Sequence, residues 1–185
     1  VSCSIFITHT HWDHIQGLPF FVPLFVPGNT ISLYGPPDLV TMQSLEQILA
    51  IQMEHRYFPV RQTELKSPPL CRTLRENETI AVGNIEVTSI CMNHTVLSYG
   101  YKVRCGGKTV FYTGDHEPYA NIYSPGEAGY EEYECSVQER REELIDFLRG
   151  VDMLIADAQY TEPSARNAYM VEAGSAPASE QMISF

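Results

Sequence analysis

Three histidines and one aspartate are concentrated near the start of the chain. The segment at residues 9–14 reads His-Thr-His-Trp-Asp-His and closely follows the apolar run at residues 5–7. An apolar run of this kind predicts a buried strand, and side chains can converge where a strand ends and the backbone turns. Neutral imidazoles and carboxylates are ligands of borderline or hard divalent cations. Four such groups are more than one ion needs from one loop, so the segment predicts two metal ions side by side.

This pattern resembles the signature of the metallo-β-lactamase superfamily. The continuation at residues 15–19, Ile-Gln-Gly-Leu-Pro, is similar to its phosphodiesterase branch, which includes the transfer-RNA 3′-end-processing endonucleases. True β-lactamases usually lack the histidine that stands here at His14, which argues against antibiotic hydrolysis. The resemblance covers residues 3–162. The matching ligand positions are His9, His11, Asp13 and His14.

Two further candidate ligands follow later predicted strands. His94 comes just after a strand predicted over residues 85–92, and Asp115 comes just after a hairpin predicted over residues 99–113. In the superfamily, such positions hold the third histidine of one metal and the aspartate that bridges both metals. The resemblance therefore implies two overlapping ligand sets. They are His9, His11 and His94 for the first metal, Asp13 and His14 for the second, and Asp115 for both.

The resemblance implies a metal-dependent hydrolase, with phosphodiesters as the favoured substrate class. Bound metals lower the pKa of water from ~15.7 to about 7, so a metal-bound hydroxide exists at neutral pH and attacks phosphorus. Asp13 is the candidate catalytic residue, because its carboxylate can hold the proton of that hydroxide and orient it. Nitrogen and oxygen ligands fit two zinc ions best, with manganese or iron as alternatives.

The chain departs from the family pattern at both ends. Relatives build several strands before the position of His9, and they usually carry two more histidines after the position of His116. The expected fold is α/β, an αββα metallo-β-lactamase-type sandwich that is incomplete, with its first strands and C-terminal part missing. The expected organisation is a partial domain at residues 1–162 and an irregular or disordered tail at residues 163–185.

Three other interpretations stay open at this point. The first is an inactive or weakly metallated fragment that only binds metal, which the missing histidines favour. The second is an iron-dependent oxidoreductase on the same scaffold. The Gly-Leu-Pro sequence at residues 17–19 argues against it, because it is similar to the phosphodiesterase branch. The third is a (β/α)₈ amidohydrolase. That fold needs ~250 residues and leaves the roles of Asp13, His14 and Asp115 unexplained.

The composition restricts the partners and the compartment. The formal net charge is −11, and an acidic surface repels a phosphate backbone. Long nucleic acids are therefore not expected, whereas a small phosphorylated substrate fits because bound cations make the site locally positive. Five scattered cysteines contain no Cys-x-x-Cys pair, which favours a reducing cytoplasm. No apolar stretch approaches the ~20 residues of a membrane-spanning helix, so no membrane partner is expected.

The remaining elements are predicted from periodicity and turn signals. Residues 54–78 predict an extended insertion with a basic excess, in which His55 and Arg56 are candidates to contact substrate. The strand ending at Ile7 is expected to border an open sheet edge that favours pairing, so a homo-oligomer is a candidate assembly. Helices are predicted over 39–53, capped by Asp38, and over 138–149, and further strands are predicted over 31–34, 79–82 and 151–156.

Overall fold

The first sheet consists of three parallel strands. The structure is a computed structural model that describes residues 1–158. Strand β1 (Ser2–Phe6) lies at one edge, β2 (Thr30–Gly35) in the middle and β3 (Leu70–Thr73) at the other edge. The central strand buries Ile31 and Leu33 almost completely, as its β-branched and apolar content predicts. The predicted strands at residues 5–7 and 31–34 are therefore confirmed, and β1 has no strand on its outer side among the described residues.

Strand β3 lies inside the segment that the sequence predicts to be an extended insertion. It pairs in parallel with β2, with Cys71 opposite Leu33. Three of its four residues are exposed. An edge strand of this kind lacks the apolar alternation on which sequence prediction depends. The expectation of an insertion without regular structure is therefore wrong for residues 70–73.

The second sheet has five strands. Its members are β4 (Thr79–Val82), β5 (Ile85–Met92), β6 (Ser98–Cys105), β7 (Lys108–Tyr112) and β8 (Met153–Ile155), in that order. Strands β4 to β7 are antiparallel neighbours, and β8 runs parallel to β7. The hairpin predicted over residues 99–113 is confirmed, and the strands predicted over residues 79–82 and 85–92 pair as a second hairpin. The β4–β5 turn places Gly83 at φ +61°, a left-handed conformation that glycine adopts without steric cost.

The helix between β2 and β3 is shorter than predicted. Helix α2 (Leu45–Gln52) begins at Leu45 because Ser44 caps it. The Ser44 hydroxyl accepts a hydrogen bond from the Gln47 amide at 3.3 Å, and the Gln47 side chain accepts one from the Ser44 amide at 2.8 Å. This reciprocal pair is a capping box. The predicted cap, Asp38, instead accepts a hydrogen bond from the Val40 amide within a preceding turn.

The last described helix is longer than predicted. Helix α3 spans Tyr130–Leu148 and so begins eight residues before the predicted start at 138. Glu131 and Glu132 lie in its first turn, where negative charge is favourable next to the exposed backbone amides. The tyrosines and glutamates of this turn lack a clear apolar face, which is why the sequence indicates a loop there.

Three apolar clusters separate four layers. The first lies between α2 and the three-stranded sheet, and it includes Leu33 and Leu49. The second lies between the two sheets, where Phe6 stacks on Tyr34 at 4.6 Å. The third lies between the five-stranded sheet and α3, and it includes Phe111. The order helix–sheet–sheet–helix confirms the predicted αββα sandwich.

Helix α1 (Trp12–Ile15) follows β1 and leads into two 3₁₀ helices, Leu18–Phe20 and Val22–Phe25. The indole of Trp12 is 60% exposed, whereas Ile15 packs into the cluster beneath α2. No described helix is long and apolar enough to cross a membrane. The predicted boundary at 162 and the predicted tail at 163–185 lie outside the described residues.

Candidate metal centre

Five of the six predicted ligands meet at one end of the sandwich. His9 and His11 lie in the loop after β1, and His14 lies on α1. His94 follows β5, and Asp115 follows β7. Apart from His14, each of these ligands lies where a strand has ended and the chain turns. The sheets align these ends, so side chains distant in the sequence face a common centre.

Three imidazole nitrogens and one carboxylate oxygen form the first group. Nε2 of His9 lies 3.1 Å from Nδ1 of His11, which lies 3.2 Å from Nε2 of His94. Oδ2 of Asp115 lies 3.8 Å from Nε2 of His9 and 3.9 Å from Nε2 of His94. A tetrahedral ion with bonds of about 2.0–2.1 Å holds its ligand atoms about 3.3 Å apart. The group therefore fits one divalent ion. Such an ion would accept the lone pairs of the imidazole nitrogens and the carboxylate oxygen, which face one another.

A second group lies beside the first. Suitable atoms of His9, His14 and Asp115 lie within 4.8 Å of one another. Nε2 of His14 is 3.3 Å from Oδ2 of Asp115, and this same oxygen faces the first group. Asp115 thus contacts both groups, as the resemblance implies. His9 also belongs to both groups, which the resemblance does not imply.

Asp13 lies outside both groups. Its side chain is 75% exposed, and its Oδ2 lies 3.3 Å from Nε2 of His14. The carboxylate is therefore at the rim of the centre, next to one ligand. Its assignment as a metal ligand and as the catalytic residue stays a prediction.

Local packing fixes the loop that carries His9. Gly114 has φ +60°, and a Cβ at this position would lie 2.7 Å from Cγ2 of Thr8. The Thr8 hydroxyl lies 3.1 Å from Nδ1 of His9, so the opposite ring nitrogen, Nε2, points to the centre. Close packing of Gly114 on Thr8 thus joins the loop of Asp115 to the loop of His9.

Burial controls the protonation of His9. Its side chain is fully buried, and burial lowers its pKa to about 4, with the neighbouring His14 contributing in the same direction and Asp115 opposing. The imidazole is consequently neutral near pH 7, the form in which histidine binds a metal.

Sequence reasoning gave no role to Glu117, yet its carboxylate lies close to a ligand. Oε1 of Glu117 is 3.5 Å from Nδ1 of His94, the ring nitrogen that faces away from the centre. The only signal in the sequence was a carboxylate two residues after the predicted ligand Asp115. Its proximity to His94 depends on the pairing of distant strands, which spacing alone does not reveal.

The two candidate substrate contacts in the predicted insertion line a separate cavity. This cavity has a volume of about 530 Å³ and lies at the C-terminal end of α2, where His55, Arg56 and Arg61 contribute to its lining. Glu54 forms an ion pair with Arg56 at 2.6 Å, which offsets part of the positive charge. The cavity includes none of the candidate metal ligands, so substrate contact by His55 and Arg56 stays a prediction.

The chain has extended similarity to known proteins. Residues 3–183 match the family described as the β-lactamase superfamily domain. Ribonuclease Z of Prochlorococcus marinus (strain AS9601) is 34% identical over 104 residues, which cover 54% of this chain and 31% of the relative. The match therefore spans about a third of the length of such curated relatives.

Solved structures show the same architecture at low sequence identity. The short form of human tRNase Z has a TM-score of 0.59 at 18% identity, covering 92% of this chain and 68% of that chain. Unliganded yeast PDE1 has a TM-score of 0.55 at 14% identity, covering 92% of this chain and 50% of that chain. These likenesses establish the fold, which by itself does not determine the chemistry of a site.

Proposed function

Because the chain belongs to the β-lactamase superfamily, we propose that it is a metal-dependent hydrolase that cleaves phosphodiester bonds at a dinuclear centre. One observation carries the proposal. A single oxygen, Oδ2 of Asp115, lies 3.3 Å from Nε2 of His14, which is in the second group only, and 3.9 Å from Nε2 of His94, which is in the first group only. A carboxylate between two histidine groups is suited to hold two cations side by side.

The ligands divide between the two ions as the resemblance implies. His9, His11 and His94 would hold the first ion, and His14 with Asp13 would hold the second, with Asp115 shared. Zinc suits this set of nitrogen and oxygen donors best. Bound divalent ions supply a nucleophile at neutral pH, because they lower the pKa of coordinated water from ~15.7 to about 7.

The protein's own residues position the reaction. The exposed carboxylate of Asp13 sits at the rim beside His14, where it can accept a hydrogen bond from the attacking water and orient it. The imidazole of His9 is buried and neutral, so it provides a nitrogen lone pair on the inner side of the centre. The histidines of the two groups are all used as ligands, so none is free to protonate the leaving oxygen. We therefore expect esters with leaving groups of low pKa to react first.

Two observations bear on the substrate class, and each favours a different kind of substrate. The name of the ribonuclease Z relatives favours a nucleic-acid phosphodiester. The net charge of −11 disfavours a long polyanion, because counterion release gains little for an acidic protein. A short nucleotide or another small phosphorylated ester satisfies both. Five free thiols favour a reducing compartment, and we place the activity in the cytoplasm.

The test combines elemental analysis of the purified protein with hydrolysis of bis-p-nitrophenyl phosphate. The proposal requires two equivalents of zinc or manganese per chain and turnover. His14→Ala should lose one equivalent and most turnover, whereas Glu132→Gln, which changes an exposed side chain of α3 outside the centre, should change neither. One equivalent without turnover would instead support a chain that only binds metal, and no bound metal at all would refute the proposal. A single bound iron with oxygen uptake would support oxidoreductase chemistry.

A further inference from the structure

We infer that Glu117 is a positioning residue for the ligand His94, an inference that rests on the metal centre proposed above. Its carboxylate lies 3.5 Å from Nδ1 of His94, and a small rotation would let it accept a hydrogen bond that holds the opposite nitrogen, Nε2, toward the metal. Neither the family pattern quoted above nor the spacing of the ligands assigns this role. Three features of the structure support this role.

The first feature is the orientation of the His94 ring. Nε2 lies 3.2 Å from Nδ1 of His11 and thus faces the first ligand group. Nδ1 points the other way, is buried, and has no hydrogen-bond partner among residues 1–158. A buried donor without an acceptor is unfavourable. Oε1 of Glu117 lies 3.5 Å away, so a small rotation of its side chain brings it into the usual range of about 2.7–3.2 Å.

The second feature is a set of hydrogen bonds that fixes the backbone of Glu117. The Glu117 amide donates to the carbonyl of Asn93 at 2.7 Å. The side-chain amide of Asn93 donates to the carbonyls of Glu117 at 3.0 Å and Pro118 at 3.1 Å. The Asn93 amide donates to Nδ1 of His116 at 3.2 Å. The segment after β7 is therefore tied to the residue that precedes His94, and the carboxylate is held near the ring.

The third feature is the contrast in exposure between the partners. The side chain of His94 is 12% exposed, and that of Glu117 is 38% exposed. The carboxylate therefore keeps contact with water while it approaches a buried ring, which limits the cost of its desolvation. A charged acceptor also forms a stronger hydrogen bond than a neutral one.

The chemical consequence is control of the ligand tautomer. When Nδ1 carries the proton and donates it to a carboxylate, the lone pair of Nε2 remains available for a cation. The same hydrogen bond fixes the ring plane and raises the basicity of the coordinating nitrogen. Loss of such an outer partner typically lowers metal affinity by about 10–100-fold. Glu117 should therefore strengthen zinc binding without contacting zinc.

The experiment measures zinc affinity by competition with a chromophoric chelator in four proteins. These are the parent, Glu117→Gln, Glu117→Asp and the control Glu132→Gln, which removes one negative charge from the exposed face of α3. We expect Glu117→Gln to weaken the tighter zinc site by about 10–100-fold with unchanged stoichiometry. Glu117→Asp should recover part of the affinity, and Glu132→Gln should bind as the parent does.

A second readout separates positioning from a general loss of stability. Nitrogen-15 NMR of the zinc-loaded parent should show His94 with zinc on Nε2 and a proton on Nδ1 that exchanges slowly with water. In Glu117→Gln this proton should exchange faster while thermal unfolding of the chelator-treated protein is little changed. Equal zinc affinity in the parent and Glu117→Gln, or a His94 proton on Nε2, would refute the positioning role alone. Absence of zinc binding by the parent would overturn both this inference and the proposed function.

Discussion

Replacement of Gly114 by alanine should damage stability and metal binding together. Gly114 has φ +60°, and a Cβ added there would lie 2.7 Å from Cγ2 and 2.9 Å from Cβ of Thr8. Real Cβ atoms do not approach other atoms so closely, so the two loops must separate. Thr8 contacts His9, and Gly114 precedes Asp115, so the separation would move two candidate ligands apart.

The magnitude has two parts. An alanine in the left-handed region costs about 1–2 kcal/mol relative to glycine. Overpacking of a buried contact costs typically another 1–3 kcal/mol. The sum, about 2–5 kcal/mol, is a large share of the ~5–15 kcal/mol that stabilises an ordinary domain. Gly83 isolates the first part, because it has φ +61° and nothing within 4 Å of its added Cβ. Gly83→Ala should therefore cost only about 1–2 kcal/mol.

Urea unfolding followed by circular dichroism, with metal removed, measures both free energies of unfolding. Gly114→Ala should be less stable than Gly83→Ala by about 1–3 kcal/mol, or about 2–12 °C in Tm for a chain of this size. Zinc affinity should fall in Gly114→Ala and remain unchanged in Gly83→Ala. Thr8→Ser removes the clashing methyl group and keeps the hydroxyl near His9, so it should restore part of both losses in Gly114→Ala. Equal stability of the two alanine variants would refute the argument from close packing.

Three further outcomes are expected. Tyr101→Phe should lower the free energy of unfolding by about 1–3 kcal/mol. The substitution removes the buried hydrogen bond of 2.6 Å that the Tyr101 hydroxyl donates to the Ile7 carbonyl. A loss smaller than the error of a urea titration would contradict this expectation. Burial raises the pKa of the Cys91 thiol to about 12. At about pH 8 iodoacetamide should therefore modify the exposed Cys105 well before Cys91, as read by peptide mass spectrometry, and equal rates would show that Cys91 is accessible. A chelator should lower the Tm of zinc-loaded protein, because ligands that bind only the folded state stabilise it by mass action, and an unchanged Tm would argue against a bound metal.

Five of the six predicted ligands came together, because their signal is local. Each candidate histidine or aspartate follows an apolar strand or a glycine turn, and strand ends of one sandwich meet at one edge. Most of the strands and both hairpins could likewise be predicted from apolar runs and turn residues, whereas their arrangement in a sandwich was implied by the family resemblance. These features depend on short segments whose residue types strongly favour one kind of local structure, a strand or a turn.

The errors arose where two local signals competed or where none existed. Asp38 and Ser44 are both good helix caps, and only Ser44 has a glutamine three residues later to complete a capping box. Strand β3 is an exposed edge strand with no apolar alternation. Glu117 is close to His94 only after β5 and β7 are placed in one sheet, so its contact is a property of the tertiary structure.

The position of Trp12 gives this protein a built-in optical reporter. It is the single tryptophan of the chain, it is 60% exposed, and it lies between the candidate ligands His11 and Asp13. Light at the long-wavelength edge of indole absorption therefore excites this one residue, at the rim of the centre, and does not excite the tyrosines. Emission recorded during a cobalt titration reports quenching at this rim alone. Occupancy of the centre can thus be followed in unlabelled protein without a turnover assay.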